Sequence, residues 1–201
     1  IQSDNSLEDV GLVIFDEFHE RSLQADLALA LCYQVQQVLR NDLRVLIMSA
    51  TLESEKLSSL LNNAPVITSA GRQYPVTILY TPPDKDAQPA PSTARVIRRA
   101  LREQAGDLLV FLPGTADIHR VVSLLDTGDL DATVHPLYGD LPFKKQQEAI
   151  LPNPHGQRKI VLATSIAETS LTIEGITTVV DSGYSRVPKF DPRSGLTRLE
   201  T

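Results

Sequence analysis

The sequence predicts an α/β fold made of two successive parallel-sheet units, and three observations carry that expectation. Short apolar runs alternate with stretches of helical apolar spacing along the 201 residues, the pattern of strands in a parallel sheet with helices on its faces. A proline-rich stretch, Thr81-Pro82-Pro83-Asp84-Lys85-Asp86-Ala87-Gln88-Pro89-Ala90-Pro91, interrupts the alternation, and its prolines sustain neither helix nor interior strand. Beyond it the alternation begins again without any repeat of sequence, so the two units are alike in architecture only. Residues 1–80 form the expected first unit, 81–91 the linker and 92–201 the second unit.

In the first unit Val10 to Asp16 reads as a buried strand. From Ser22, a plausible N-cap, the apolar positions Leu27, Leu31, Val35, Val38 and Leu39 recur at helical spacing. A strand follows at Leu43 to Met48, a helix near Ser54 to Leu61 and a strand at Pro65 to Thr68. The second unit is expected to open with a helix from Ser92, then a strand at Leu108 to Leu112, a helix at Thr115 to Leu125 and a strand at Ala132 to Leu137. A helix near Leu141 to Ile150 precedes strands at Lys159 to Ala163 and Thr178 to Asp181. Asp191-Pro192-Arg193-Ser194-Gly195 reads as a turn joining two short strands, a hairpin.

Composition narrows the function. A hydrophobic share of 42% supports packed cores. The longest apolar runs, Leu12 to Phe15 and Val45 to Met48, are far too short to cross a bilayer, and no signal segment opens the chain; a soluble, cytoplasmic protein is expected. The single cysteine, Cys32, excludes an internal disulfide and a thiolate zinc cluster and reads as core filling. A net charge of -6 argues against a generic nucleic-acid binder. The charge is uneven: four basic and ten acidic residues precede Ala64, and fifteen of each follow.

The residues that carry chemistry begin at Leu12-Val13-Ile14-Phe15-Asp16-Glu17-Phe18-His19, an apolar strand ending in two adjacent carboxylates. Ligands of open α/β sheets sit at the carboxyl ends of strands. Such a pair can place magnesium on nucleotide phosphates through one carboxylate and polarise the attacking water with the next. Met48-Ser49-Ala50-Thr51 ends the following apolar strand and brings two hydroxyls beside the carboxylates if the strands are neighbours.

Asp16-Glu17-Phe18-His19 with Glu20-Arg21-Ser22 resembles motif II of the DEAH-box RNA helicases, and Ser49-Ala50-Thr51 resembles their motif III. Leu109-Val110-Phe111-Leu112-Pro113-Gly114 is similar to motif IV, and Leu162 to Ile173 to the long motif V. Phe18 stands where the family name has alanine; with Phe190 to Leu199 this resembles the bacterial HrpB-type branch of these superfamily 2 enzymes. The resemblance implies two RecA-like domains of the P-loop NTPase type and an ATP-dependent helicase using ATP and Mg2+ to move along or unwind RNA. It implies Asp16 as the magnesium carboxylate, acting mostly through water, Glu17 on the hydrolytic water and His19 toward the phosphates. Ser49, Thr51, Ser170 and Glu174 are implied in nucleotide binding or coupling, and Thr164, Ser165 and Thr172 in RNA contact. Ser165 departs from the more usual asparagine, and Glu174 from aspartate.

In that family a hairpin after motif V separates or grips nucleic acid. Here Arg186, Lys189, Arg193 and Arg198 against Asp191 and Glu200 give it a net +2, which suits phosphate contact. Arg95, Arg98, Arg99 and Arg102 share a helix face but read as a solvated surface, as do Lys144 and Lys145. No Gly-x-x-x-x-Gly-Lys-Ser/Thr loop and no arginine-rich motif VI occur. The 201 residues alone are therefore expected to hydrolyse ATP poorly or not at all, both domains being incomplete in this reading. The rival reading is a non-catalytic RecA-like module that docks RNA or protein. A hydrolase using the carboxylates as a metal site lacks the further His and Asp ligands such sites gather.

Overall fold

The structure is a computed structural model and describes residues 4, 6–50, 54–69, 71, 74–82, 88–126, 130–168 and 171–200. The chain divides into two compact units, Ile1–Val76 and Thr77–Thr201. The mixed α/β architecture with parallel sheets is the expected fold class.

In the first unit β1 (Leu12–Phe15) pairs in parallel with β2 (Arg44–Ile47), Leu12 opposite Arg44 and Phe15 opposite Ile47. Between them runs α1 (Leu23–Val38), whose start is set by the Ser22 hydroxyl accepting the Ala25 N–H at 3.0 Å. The buried face of α1 is Leu29, Cys32 and Val35 rather than the expected set. Leu27, Val38 and Leu39 are exposed, and of those five positions only Val35 is buried. Nearly every position from Leu27 to Tyr33 is apolar, so spacing alone could not choose the face.

Arg40, just after α1, draws the chain before β1 into place. Its guanidinium donates to the carbonyls of Leu7 at 2.6 Å and Val10 at 3.3 Å while gripping Asp42 with two bonds of 2.8 Å. A short helix α2 (Ser54–Leu60) follows. The expected strand at Pro65 to Thr68 is not formed: residues 64–69 have no regular structure, and Ile67 is 95% exposed. Apolar and β-branched residues make a strand only where a neighbour accepts their hydrogen bonds.

The second unit opens with α3 (Pro89–Glu103), three residues before the expected start. Proline breaks a helix interior, yet Pro89 sits at the helix start, where a missing N–H costs nothing and the fixed φ is already helical. The sheet that follows has the order β4-β5-β3-β6, all parallel, from β3 (Asp107–Phe111), β4 (Ala132–Leu137), β5 (Arg158–Ala163) and β6 (Ile176–Asp181).

Helices α4 (Thr115–Leu125) and α5 (Phe143–Ile150) fall on the sequence intervals read for them. Alternation along the two central strands divides the core into two layers. Leu108, Val110, Ile160 and Leu162 pack with Ile97 of α3 and with Ile118 and Val121 of α4. Leu109, Val161 and Ala163 pack with Ala149 of α5 and with Ala167 and Ile173.

Two cations close the amino-terminal side of this sheet. Arg158 donates to the carbonyls of Leu101, Gln104 and Gly106 at 2.8, 3.0 and 2.8 Å, satisfying the end of α3. Lys159 is wholly buried, its ammonium donating to the carbonyls of Ala149 at 3.1 Å and Leu151 at 2.7 Å at the end of α5. Burial pulls its pKa below the ordinary lysine value. Strands β7 (Val187–Asp191) and β8 (Leu196–Glu200) form the expected antiparallel hairpin.

Candidate functional site

Strand β1 ends at Phe15, so Asp16 and Glu17 emerge at its carboxyl end. Because β2 runs parallel and Phe15 faces Ile47, the chain beside them is Met48 and Ser49, the juxtaposition that a neighbouring pair of strands requires. Two bonds fasten the strand ends together: Met48 N–H to Phe15 O at 2.8 Å and Phe18 N–H to Met48 O at 3.0 Å. One oxygen of Asp16 accepts the Glu17 N–H at 2.8 Å. Among the described residues its other oxygen has no hydrogen-bond partner.

A short 3-10 turn, Phe18–Glu20, follows. It puts His19 over the next loop, where Nδ1 accepts the Ala50 N–H at 3.3 Å. That bond occupies the Nδ1 lone pair and leaves the ring proton on Nε2. The 3.5 Å approach of Glu17 Oε2 to the same nitrogen is therefore an approach of two acceptors, not an ion pair, while Ala50 donates. His19 thus ties Asp16-Glu17-Phe18-His19 to the Ser49-Ala50 segment through the backbone.

The donor set bears on magnesium. Among the described residues no group of three or more His, Cys, Asp or Glu side chains could hold a metal. Two adjacent carboxylates at a strand end, one with an unengaged oxygen, do not suit zinc. They suit Mg2+, which keeps several waters and takes its remaining oxygens from phosphates.

In the second unit the carboxyl ends of β3, β5 and β6 form one rim. Leu112 N–H to Ala163 O at 2.9 Å, Ser182 N–H to Phe111 O at 3.2 Å and Thr164 N–H to Leu137 O at 3.2 Å carry the strand pairing one residue past each end. Thr164 and the 3-10 turn Ser165–Ala167 therefore stand at the rim. A cleft of about 450 Å³ opens there, lined by Leu112, Pro113, Ser165, Glu168, Tyr184 and Arg186 among others. Arg186 lies against Gly114, where an added Cβ would come within 3.3 Å of its guanidinium. A glycine at 114 admits the arginine to the rim.

Glu174 sits elsewhere. It precedes β6, beside Gly175, whose carbonyl accepts the N–H of Asp107, the first residue of β3, at 3.0 Å. It is thus at the amino end of the sheet, about 20 Å from Thr164 along a six-residue strand. The sheet keeps the Glu174 position apart from Thr164 and Ser165. Thr172 is exposed between them. Thr51 and Ser170 lie outside the described residues.

On the hairpin, Lys189 is opposite Arg198, and the like charges are relieved by a 2.8 Å bond from Lys189 to Glu200. That bond raises the Lys189 pKa. Asp191 closes the turn by accepting from the Arg193 N–H and the Ser194 hydroxyl, each at 2.9 Å, and these bonds lower its pKa. Arg193 and Arg198 are exposed. Two of the arginines of α3 are otherwise engaged: Arg99 bonds Glu103 at 2.9 Å, and Arg98 donates to the Leu124 carbonyl at the end of α4.

Sequence reading missed the cluster around Phe18. Its ring is 6% exposed, meets Phe15 edge-on and is covered by the guanidinium of Arg21, which Asp26 holds. The only signal was a large aromatic between a carboxylate and a histidine, where a polar strand end would be expected to stay in water.

Comparison with known proteins adds an independent finding. The helicase conserved C-terminal domain family matches residues 92–194. The ATP-dependent RNA helicase HrpB of Escherichia coli (strain K12) is 54% identical over 202 residues, an alignment that covers 100% of this chain and 25% of that protein. The crystal structure of Escherichia coli DEAH/RHA helicase HrpB superposes with a TM-score of 0.90 at 55% identity, covering 99% of this chain and 26% of that one. That of the E. coli DExH-box NTPase HrpB gives 0.87 at 54% identity, covering 100% and 25%. The chain spans about a quarter of the length of these relatives.

Proposed function

We propose, for a chain that belongs to the DEAH helicases carrying the conserved helicase C-terminal domain, that the protein containing it is an ATP-dependent RNA helicase whose first unit supplies the hydrolytic carboxylates and whose second contacts RNA. The observation that carries this reading is the strand-end pair Asp16 and Glu17, bound through His19 to the backbone of Ala50. Asp16 would hold Mg2+ largely through water; the ion, when bound, neutralises phosphate charge. Glu17, with its carboxylate next to that site, accepts the proton of the water that attacks the terminal phosphate. Ser49, Thr51, Ser170 and Glu174 are assigned to nucleotide binding or coupling. A cytoplasmic setting belongs to the same reading.

RNA phosphates are assigned to Thr164, Ser165 and Arg186 around the rim, to Thr172 beyond it and to Lys189, Arg193 and Arg198 on the hairpin. The rim offers hydroxyls and one guanidinium in a cleft, and the hairpin offers cations on exposed strands, which together fit a flexible polyanion. The test uses the full-length protein. Glu17→Gln keeps shape but cannot take a proton, so turnover should fall by about 10²- to 10⁴-fold while ATP affinity stays within about twofold. Asp16→Asn should weaken magnesium-dependent ATP binding more. Equal losses of nucleotide affinity in both variants would overturn this division of roles.

A further inference from the structure

The turn that presents Glu17 is under backbone strain at both ends. Glu17 has φ 49° and ψ 38°, and Arg21 has φ 50° and ψ 75°, both left-handed and neither a glycine. Side-chain-bearing residues hold such conformations only where their surroundings over-determine them. Beside the bonds from Glu17 N–H to Asp16 and from Glu20 N–H to Glu17 O, the packing constraints here pass through Phe18. The left-handed step at Glu17 turns the chain back, so that the next ring goes under the end of β1 instead of outward. There it is 6% exposed and meets Phe15 edge-on, centroids 6.2 Å apart and planes at 81°. Its N–H is fixed by Met48 O at 3.0 Å.

The open side of the ring is covered by the Arg21 guanidinium, 5.5 Å from the centroid. Asp26, in the first turn of α1, holds that guanidinium with two bonds of 3.1 and 3.0 Å. Arg21 N–H returns to Phe18 O at 3.2 Å and Glu20 N–H to Glu17 O at 3.0 Å, closing the turn. A set of contacts therefore runs from α1 through Asp26 and Arg21 to Phe18, whose backbone joins Glu17 on one side and His19 on the other.

Resting on the reading of Glu17 as the group that serves the hydrolytic water, we infer that Phe18, with Arg21 as its cover, is a positioning residue that holds Glu17 in its left-handed conformation. Neither touches substrate. Their contribution is orientation: a displacement of about 1 Å at a reacting group can cost a factor of about 100. With alanine at 18 the buried anchor and the platform for Arg21 are lost together, and Glu17 relaxes toward ordinary backbone while Asp16, fixed by β1, stays.

The experiment uses the full-length protein with Glu17→Gln, Phe18→Ala, Phe18→Leu and Arg21→Ala. Phe18→Ala should lower kcat by about 10- to 100-fold with KM for ATP within about twofold. Without nucleotide, amide hydrogen exchange in the 12–22 peptide should quicken while the rest of the protein exchanges as before. Phe18→Leu, which refills the pocket, should recover most of the loss in both readouts. Arg21→Ala, which leaves the ring in place and does not depend on Phe18→Ala folding, should lower kcat about two- to fivefold, equivalent to one cation–π contact.

An unchanged kcat and exchange rate in Phe18→Ala, or losses that follow only the folded fraction, would overturn the inference. So would Arg21→Ala with wild-type kcat and exchange. A Glu17→Gln enzyme that still turns over removes the underlying reading and the inference with it. Inactive Glu17→Gln beside unimpaired Phe18→Ala removes the inference alone.

Discussion

The two sheets are built from similar apolar runs and end up in opposite environments. In the second unit Leu108, Val110, Ile160 and Leu162 on the central strands are 0% exposed, because helices cover both faces of a four-stranded sheet. In the first unit Leu12 on β1 is 48% exposed and Ile14 52%, because α1 covers one face of a pair of strands. An apolar run thus announces a strand in both places, but the layers around it set how much burial it contributes. The chemical groups follow suit: Thr164 and Ser165 stand on the rim of a closed core, whereas Glu17 depends on the contacts of one short turn.

That contrast is broken most directly by truncating one side chain in each sheet. Leu162→Ala opens a cavity in a fully packed layer and should cost about 2–5 kcal/mol. Ile14→Ala removes a half-solvated side chain and should change stability by less than about 1 kcal/mol. Equilibrium urea unfolding of the 201-residue chain measures both. Equal losses would mean that the first sheet is as tightly enclosed as the second.

A smaller effect is expected at Lys159, which caps α5 from inside the second unit. Lys159→Met keeps the volume and leaves the Ala149 and Leu151 carbonyls without their donor, at a cost of about 1–3 kcal/mol. The pH dependence has a definite sign. The folded pKa is below the ordinary 10.5, so the folded state sheds its proton first and stability gains as pH rises from that lowered value toward 10.5. Urea unfolding from pH 8 to 10.5 should show this gain in the wild type and not in Lys159→Met; parallel curves would refute it.

Charge separates the hairpin from α3 in the same way. Replacing Arg186, Lys189, Arg193 and Arg198 by alanine in the full-length protein should flatten the salt dependence of RNA affinity by up to about one unit of slope per lost phosphate contact. Lys189 should contribute least, being paired with Glu200. Arg99→Ala on α3, where the guanidinium is held by Glu103, should leave the slope as it was. An unchanged slope in the fourfold variant would return the hairpin to an ordinary solvated turn.

Much of the fold was legible because its signals are local. Helix α4 and strand β4 occupy the very intervals read from apolar spacing and turn residues, and Ser22 caps α1 as its side chain suggests. What was misread depends on partners far away in sequence. Pro65 to Thr68 has strand residues and no strand to pair with, and the buried face of α1 was hidden by an almost uninterrupted apolar stretch. Proline near 89 signals a break or a helix start equally well until the following turn is seen. At the candidate site, Asp16, Glu17 and Ser49 were readable from strand ends. The left-handed Glu17, the Phe18 anchor and the Arg186 seat on Gly114 were not, since none has a periodic signature.

The finest difference lies between two arginines that do the same work in the two units. Arg158 satisfies three carbonyls and no carboxylate. Arg40 holds the carbonyls before β1 only while its other edge grips Asp42. Carbonyls do not titrate in the accessible range and a carboxyl does. The bond from Arg40, foremost, holds the Asp42 pKa down from 3.8 to about 2. The contribution is fully present above about 3.8 and is lost as pH falls toward 2, because protonation must then undo the Arg40 bond. Carbon-13 carboxyl titration should find the Asp42 midpoint near 2, moving back toward 3.8 in Arg40→Ala. Amide signals of Leu7 to Gly11 should titrate with it, and those of Leu101 to Gly106 beside Arg158 should not. A midpoint at the ordinary value in the wild type would show that Arg40 holds the chain by its carbonyl bonds alone, as Arg158 does.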